Sequence, residues 1–260
     1  MDNTYQDYLE RIAHLTTPDT HGSKLEHIVE SPKFVPGENG RRQPVSFPGY
    51  SIITPPGVED HANSQFYQVM ADCQNRIAER LGDNLFAVVP PASFHVTLAD
   101  LIWNGAYEEA ALDPRFDKKL QQCIGEIFDR IQPSLSSPQS PQWQMSGLVV
   151  MPRAIAVTLN PHNEAAYDRI IALRRALYQS RALMNLGIEQ QYNLTAHVTL
   201  GYFGSASEPL NCQELAQFLD GCAQEAMATA PPFWVKRAEL RKFTDMTRYE
   251  RSPDFPMLSL

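Results

Sequence analysis

The tetrapeptide His-Val-Thr-Leu occurs twice in this chain, at residues 95–98 and again at residues 197–200. Each copy lies in a stretch rich in β-branched and aromatic residues, which is typical of a β-strand. Side chains two residues apart in a strand project from the same face, so His95 and Thr97 project together. His197 and Thr199 do the same in the second copy. Each strand is therefore predicted to present one imidazole and one hydroxyl on a single face.

Both copies of the tetrapeptide lie in a strand–helix–strand–helix–strand plan, with one extra strand in the first half, which indicates an internal duplication. Apolar periodicity and turn residues define the elements. In the first half, strands are predicted at 50–54, 84–89, 94–101 and 143–151, with helices at 63–81 and 115–131. In the second half, strands are predicted at 154–159, 195–203 and 233–242, with helices at 163–183 and 211–228. This order predicts an α+β fold of two antiparallel sheets with flanking helices, related by a pseudo-twofold axis about a central groove.

The chain is predicted to consist of an N-terminal extension and one larger domain. Residues 1–47 contain a predicted helix from Tyr5 to Leu15, followed by prolines and glycines that favour irregular chain. Residues 48–260 are predicted to form one bilobal domain, with lobes at about 48–151 and 152–245 and a C-terminal tail. We expect the extension to wrap over this domain.

The charge and cysteine content favour a soluble cytoplasmic protein. A formal net charge of −8 disfavours a partner as large as a long nucleic acid, which requires a basic face. The arginine pairs at 41–42 and 174–175 are too short for such a face and are interpreted as solvated surface pairs. The four cysteines form no C-x-x-C pair and are typical of reduced thiols. No signal peptide or membrane-spanning segment is predicted.

Two imidazoles and two hydroxyls that face one groove suit acid–base chemistry at a phosphodiester. One neutral imidazole can take a proton from an attacking hydroxyl or water, and a protonated one can give a proton to the leaving oxygen. The hydroxyls of Thr97 and Thr199 can donate to the non-bridging oxygens as their charge builds up. These groups supply the chemistry without a metal or another cofactor, and none is predicted. A single H-x-T motif is more typical of a core histidine, whereas two in equivalent strands favour a catalytic pair.

The double motif resembles that of the 2H phosphoesterase superfamily, over roughly residues 47–245. The segment from Lys33 to Tyr50 also resembles the entry to the first strand in the bacterial DUF1868-type branch of this superfamily. The resemblance implies that His95 and His197 are the catalytic acid and base, and that Thr97 and Thr199 bind phosphate. It also implies a 2H-type phosphodiesterase that hydrolyses a small cyclic or 2′-linked phosphodiester of a nucleotide or a short RNA end.

Five further residues are weaker candidates for substrate binding. Tyr202 follows Thr199 by three residues, where it can stack on a base or bond a phosphate; a core tyrosine fits equally well. Arg153 lies at the junction of the two halves, where it can grip a phosphate or form a surface ion pair. Lys33, Tyr50 and Trp103 are candidate groove or lid residues.

Two alternatives to a small-molecule phosphodiesterase fit the same pattern. The first is an RNA 2′-5′ end-processing or ligase-like enzyme that applies the same chemistry to oligonucleotides. The second is a non-catalytic module that binds a nucleotide or a phosphorylated ligand on the same fold. The sequence leaves open the exact substrate, the acid and base roles of His95 and His197, the role of the extension and the oligomeric state.

Overall fold

The computed structural model describes residues 2–37, 40–135, 137–205 and 209–260, and its strands and helices alternate along most of the chain. The strands are β1 (Phe34–Pro36), β2 (Arg42–Pro44), β3 (Gly49–Ile53), β4 (Phe86–Val88), β5 (Thr97–Trp103), β6 (Gln142–Met151), β7 (Ala154–Pro161), β8 (His197–Phe203), β9 (Phe233–Trp234), β10 (Arg237–Asp245), β11 (Arg248–Glu250) and β12 (Met257–Ser259). The helices are α1 (Tyr5–Leu15), α2 (Pro18–Leu25), α3 (Ser64–Leu85), α4 (Asn104–Ala110), α5 (Phe116–Leu135), α6 (Glu164–Tyr178), α7 (Arg181–Met184) and α8 (Cys212–Thr229).

Two antiparallel sheets carry the repeated tetrapeptides, one in each sheet. The first sheet has the order β11-β10-β3-β5, with β12 paired to β10, and the second has the order β4-β8-β7-β6-β9. Helices α3 and α8 pack on the second sheet, whereas α6 contacts β5 of the first sheet and β7 of the second. The predicted α+β fold with two antiparallel sheets and flanking helices is confirmed.

Helix α1 begins at a side-chain cap, and α3 breaks at the glycine where its end was predicted. In α1, the Thr4 side chain accepts from the backbone of Asp7 and the Asp7 carboxylate accepts from the backbone of Thr4, which is a capping box. The predicted stop of α3 at Gly82 corresponds to a break in its backbone, where φ is +76°, a left-handed value that favours glycine. The residues after this break continue directly into β4, so the helix and strand are joined without a loop.

The N-terminal extension is more regular than predicted. The helix predicted from Tyr5 to Leu15 is confirmed as α1, but the expected irregular chain after it contains α2 and the β1–β2 hairpin. Pro18 is compatible with α2 because it occupies the first turn, where its missing N–H would have no helical partner. Thr17 caps the same helix by accepting from the Thr20 backbone. Pro18 therefore begins helix α2 instead of interrupting regular structure.

The two sheets do not follow the predicted lobes at 48–151 and 152–245. Strands β4 and β6 come from the first of these ranges but pair in the second sheet, and β10 comes from the second range but pairs in the first sheet. Strand β6 joins the second sheet because a tight turn at residues 152–153 makes it the hairpin partner of β7. The periodicity of a strand indicates its buried face and says nothing about its partner. The outer boundaries of the domain remain a prediction.

Candidate active site

The motif histidines and threonines lie on the predicted faces of their strands. Val96, Leu98, Val198 and Leu200 are buried, whereas the alternating residues His95, Thr97, His197 and Thr199 are half-buried. His95 lies just before β5, because residues 91–93 form a 3₁₀ turn, but the alternation continues through it. We call the space between these two faces the groove. The two faces lie near each other, because the charge of His197 acts on His95.

Each imidazole is held in the same way by its own backbone. Nδ1 of His95 lies 2.7 Å from the carbonyl oxygen of Ser93, and Nδ1 of His197 lies 2.6 Å from that of Thr195. A carbonyl oxygen only accepts, so Nδ1 carries the proton in both rings. The free nitrogen of each neutral ring is therefore Nε2, which is available to accept or return a proton.

A β-bulge follows the threonine in each motif strand. Along β5, Thr97 pairs with Ile53 and Ala99 pairs with Ile52, so that Leu98 has no partner in the register. The insertion of one residue reverses the alternation of faces. As a result the third residue after the threonine, Asp100, returns to the groove face.

The second motif strand has the same irregularity at the same place. Along β8, Thr199 pairs with Ala156 and Gly201 pairs with Ile155, so that Leu200 is the unpaired residue. Tyr202 is thereby returned to the groove face, at the position that Asp100 occupies in the first strand. Tyr202 was predicted as a candidate from the sequence, but Asp100 was not, since strict alternation from Thr97 places Asp100 on the opposite face.

The carbonyl of each bulge residue accepts from a buried helix side chain. Nη1 of Arg174 donates to the Leu98 oxygen at 2.7 Å, and Nε2 of Gln74 donates to the Leu200 oxygen at 2.6 Å. Arg174 is 3% exposed and also forms a buried ion pair with Asp2 at 2.8 Å. Its interpretation as part of a solvated surface pair is therefore wrong. The 3.6-residue helical period turns Arg174 inward and leaves the neighbouring position exposed.

The interpretation of residues 41–42 as a solvated surface pair is wrong for one of the two arginines. Arg41 is largely exposed and pairs with Asp83, as a surface residue does. The side chain of Arg42 is 1% exposed, contacts Glu30 and donates to the Phe34 carbonyl at 3.0 Å. Arg41 lies just before β2, whereas Arg42 is its first residue, so the two arginines have different environments.

Burial and nearby charge lower the pKa of His95 to about 4. Burial is the largest cause of the low pKa. The hydrogen bond to the Ser93 carbonyl raises the pKa and so opposes burial, whereas the charges of His197 and Arg241 lower it further. Burial also lowers the pKa of His197, but there the bond to Thr195 and the Asp100 carboxylate oppose it, while Lys33 reinforces it. The surroundings therefore disfavour a proton on His95 more strongly.

Arg241 is fixed beside His95 by two carboxylates. Its side chain is buried, with Nε 2.9 Å from Oε2 of Glu239 and Nη2 2.6 Å from Oε2 of Glu59. Nη1 donates to the backbone carbonyl of Tyr249 at 3.2 Å. The sequence carried a signal for this cluster that was not used, namely an acid and a base two residues apart within a predicted strand, which share one face.

Tyr249 covers the first imidazole. Its ring lies against His95 with the ring centroids 4.2 Å apart and the planes tilted by 58°. Tyr249 belongs to β11, which pairs with β10. The residues of β11 lie in the part of the chain that was predicted to be a C-terminal tail. No sequence pattern connects Tyr249 with His95, because the two residues are far apart in the chain and the pairing of β10 with β3, and of β3 with β5, places their strands in one sheet.

Aromatic residues from both sheets and from the extension close one end of the groove. Phe34, Ala87, Phe243 and Met246 form a buried cluster, against which Phe47, Trp103, Tyr202 and Tyr249 pack. Tyr202 stacks on Phe34 with ring centroids 5.4 Å apart. Burial raises the pKa of the Tyr202 phenol, and the hydroxyl of Thr199 beside it partly opposes this rise. The candidates Tyr202 and Trp103 therefore lie together at this end.

The other three weaker candidates lie in different places. Nζ of Lys33 is 5.1 Å from the centroid of the Tyr202 ring, at the same end of the groove. Arg153 is exposed in the β6–β7 turn, and its charge lowers the pKa of Lys33. Tyr50 is fully buried on the opposite face of β3, with its ring 5.8 Å from that of Tyr107. The structure does not bring Tyr50 to the groove.

The described parts of the chain contain neither a cluster of metal ligands nor a membrane-spanning helix. Outside residues 1, 38–39, 136 and 206–208, the structure has no group of three or more His, Cys, Asp or Glu side chains placed to hold a metal ion. Within the same limits, no helix has both the length and the apolar character needed to cross a bilayer.

The family comparison agrees with the class of protein that this fold and these motifs indicate. Residues 38–133 match the family described as 2H-phosphodiest, a domain of unknown function (DUF1868). This match confirms the resemblance predicted from the motifs, and it includes His95 and Thr97. The second motif, with His197 and Thr199, lies beyond the matched residues. No curated protein matches the chain in sequence.

Solved structures with a similar fold span most of the chain. A conserved protein of unknown function from Agrobacterium tumefaciens str. C58, ATU0111, is 15% identical and aligns over 85% of this chain and 90% of its own, with a TM-score of 0.56. Usb1 from Kluyveromyces marxianus is 16% identical over 82% of this chain and 97% of its own, with a TM-score of 0.43. LigT from E. coli, complexed with 3'-AMP, is 14% identical over 84% and 99%, with a TM-score of 0.41. The likeness to the Agrobacterium protein shows the fold.

Proposed function

We propose that this protein is a metal-independent phosphodiesterase that hydrolyses a small cyclic or 2′-linked phosphodiester of the nucleotide or RNA-end type. The observation that carries this proposal is the matched pair of imidazoles, each fixed through Nδ1 by the carbonyl two residues earlier. Two rings with the same tautomer and free Nε2 atoms are suited to acid–base catalysis, in which one ring accepts a proton and the other donates one.

The surrounding charges support His95 as the base and His197 as the acid. Arg241 disfavours a proton on His95, whereas the Asp100 carboxylate favours one on His197. Neutral His95 takes a proton from water at Nε2 as the water oxygen bonds to phosphorus. The bond from phosphorus to the leaving oxygen then breaks, and that oxygen takes the Nε2 proton of His197. The product is a phosphomonoester with a free hydroxyl, and proton exchange with water restores both rings.

The threonines provide the donors that the developing charge requires. Thr97 and Thr199 each lie two residues after a catalytic histidine on the same face of the strand. Their hydroxyls donate to the two non-bridging oxygens, which carry most charge in the transition state. Donors fixed on paired strands need no reorganisation as that charge grows.

A small substrate is favoured over long nucleic acid. The formal net charge of −8 disfavours attraction to a long phosphate backbone, which a basic surface would neutralise. The aromatic residues at one end of the groove, among them Tyr202 and Trp103, limit its length and supply faces on which a base can stack.

The test is hydrolysis of a panel of 2′,3′-cyclic nucleotides, 3′,5′-cyclic nucleotides and 2′-5′-linked dinucleotides in the presence of EDTA. We expect turnover of at least one member, with loss of about 10²-fold or more in His95→Ala and in His197→Ala. His162→Ala is the matched control, since His162 is an exposed histidine outside the groove. Wild-type activity in either motif variant contradicts the proposal.

The same panel separates the two alternatives. Preference for the 2′-5′-linked dinucleotides, with activity that falls steeply as salt rises, indicates an RNA end-processing enzyme. Saturable binding of a panel member without product after prolonged incubation indicates a binding module. Loss of turnover on addition of EDTA contradicts the metal-independent mechanism.

A further inference from the structure

One segment of the N-terminal extension spans the groove from one sheet to the other. The Ser31 backbone donates to the Phe203 carbonyl of the second sheet, and the Phe47 backbone donates to the Thr244 carbonyl of the first, both at 2.8 Å. Lys33 lies between these two anchors. Its side chain is therefore placed at the groove by contacts to both sheets.

The backbone of Lys33 is fixed on each side. Its N–H donates to Oγ of Ser31 at 3.3 Å, and its carbonyl accepts from the Val45 backbone at 3.1 Å. A side chain on an anchored backbone can be held in one direction at a lower entropic cost than one on a free loop.

The ammonium of Lys33 is enclosed by aromatic rings and not by carboxylates. Nζ lies 4.6 Å from the centroid of the Phe47 ring and 5.1 Å from that of the Tyr202 ring. With the described residues it forms neither a hydrogen bond nor an ion pair within 4.0 Å. Ring faces attract a cation but accept none of its three N–H bonds in full. The donors of Lys33 thus remain available.

The surroundings place this ammonium next to the motif of the second sheet. The Tyr202 ring beneath Nζ belongs to the same strand as Thr199, and the hydroxyl of Thr199 lies beside the Tyr202 phenol. The positive charge of Lys33 also acts on His197. Burial lowers the pKa of Lys33 to about 8, with the Asp100 carboxylate opposing and Arg153 reinforcing this shift. The Asp100 carboxylate acts on this ammonium but forms no ion pair with it within 4.0 Å. A desolvated cation with no direct anionic contact, beside a hydroxyl and an imidazole, is an arrangement that a phosphoryl group completes.

We propose that Lys33 is a further anion-binding residue of the groove, whose ammonium donates to a non-bridging oxygen of the phosphoryl group. That this phosphoryl group belongs to a substrate rests on the proposed function. That Lys33 binds an anion in the groove does not depend on it. The bridging segment thus supplies a third phosphate ligand, beside the threonines, that neither sheet contains.

The experiment is calorimetric titration of the full-length protein with inorganic phosphate at pH 7, which requires no turnover. The variants are Lys33→Met, which keeps the length and loses the charge, and Lys33→Arg, which keeps the charge. Lys118→Met is the matched control, because Lys118 is exposed on α5 away from the groove. We expect Lys33→Met to raise the Kd for phosphate about 10- to 100-fold, as loss of a charge-assisted hydrogen bond does. Lys33→Arg is expected to retain most of the affinity.

A second measurement uses the wild-type protein and so does not depend on the folding of a variant. An amine-acylating reagent is applied with and without inorganic phosphate, and the modified lysines are mapped by mass spectrometry. Protection of Lys33 but not of Lys118 is expected. Unchanged phosphate affinity in Lys33→Met, no saturable phosphate binding by the wild type, or no protection of Lys33 overturns the inference. Phosphate binding that depends on Lys33 in a protein without turnover would contradict only the proposed function.

Discussion

The carbonyl oxygen of Leu98 accepts a hydrogen bond of 2.7 Å from Nη1 of Arg174, and this contact connects the two motifs. Leu98 is the bulged residue of the first motif strand. The other terminal nitrogen of Arg174 donates to the carbonyl of Tyr192, at 3.0 Å, in the loop that leads to His197. One buried guanidinium therefore supports the bulge of the first motif strand and the loop before the second, and Asp2 balances its charge.

Replacement of Arg174 is expected to destabilise the protein strongly. Arg174→Met leaves the Asp2 carboxylate buried without its partner and the Leu98 carbonyl without this donor. Removal of one member of a buried ion pair costs about 3–5 kcal/mol of unfolding free energy. Urea denaturation measures this loss. Arg175→Met, at the exposed neighbouring position, is the control and is expected to change the unfolding free energy by less than about 0.5 kcal/mol. Equal effects of the two substitutions would refute the role of Arg174.

The protonation of His95 is expected to destabilise the fold in mild acid. Its folded-state pKa is lowered to about 4, whereas the unfolded chain has the ordinary histidine value of 6.5. Between pH 6.5 and 4 the unfolded state therefore binds more protons, so stability is lost as the pH falls through this window. His95→Asn removes this dependence. A shallower loss of unfolding free energy in His95→Asn than in the wild type, followed by chemical denaturation at each pH, checks the prediction; parallel curves contradict it.

Removal of the Tyr249 ring is expected to raise the pKa of His95 toward 6.5. Burial is the main cause of the low pKa, and the Tyr249 ring lies directly against the imidazole. We expect Tyr249→Ala to shift the titration of the His95 ring upward, as followed by NMR of the imidazole carbons. Tyr249→Phe keeps the ring and should leave the titration within about half a unit of the wild type. No shift in Tyr249→Ala would show that the ring does not desolvate His95.

Loss of a motif hydroxyl is expected to lower kcat and to affect KM less. Thr97→Val and Thr199→Val keep the shape of the side chain and remove the hydroxyl that we propose as a donor to the phosphoryl oxygen. Because that donor acts most strongly on the charge of the transition state, we expect a fall in kcat of about 10²-fold for each. Thr97→Ser and Thr199→Ser keep the hydroxyl and should retain most of the activity. A serine variant as impaired as the valine variant would argue for packing instead of hydrogen bonding.

Much of the groove could be predicted from short-range patterns. The alternation of buried and half-buried residues from His95 to Leu98 follows from the two-residue period of a strand. The helix from Tyr5 to Leu15 follows from its cap and its apolar spacing. The internal duplication pointed to two equivalent strands, and hence to a pair of imidazoles instead of one.

The residues that tune those imidazoles depend on contacts between distant parts of the chain. Asp100 reaches the groove only because a bulge at Leu98 reverses the alternation, and a bulge depends on the partner strand. Tyr249 meets His95 through the β10–β11 hairpin, and Arg241 is neutralised by Glu59 from a loop far away in sequence. None of these pairings has a local sequence pattern.

The sequence by itself determined the two matched motif strands, the faces on which their imidazoles and hydroxyls lie, and the α+β class, because a strand's alternation and a repeated motif are local properties of the chain. The tertiary structure alone decided which strands share a sheet, that Arg174 is buried, that Tyr50 faces away from the groove, and that Lys33 reaches it. These outcomes depend on hydrogen bonds and packing between residues far apart in sequence, and such contacts are selected by the free energy of the whole fold.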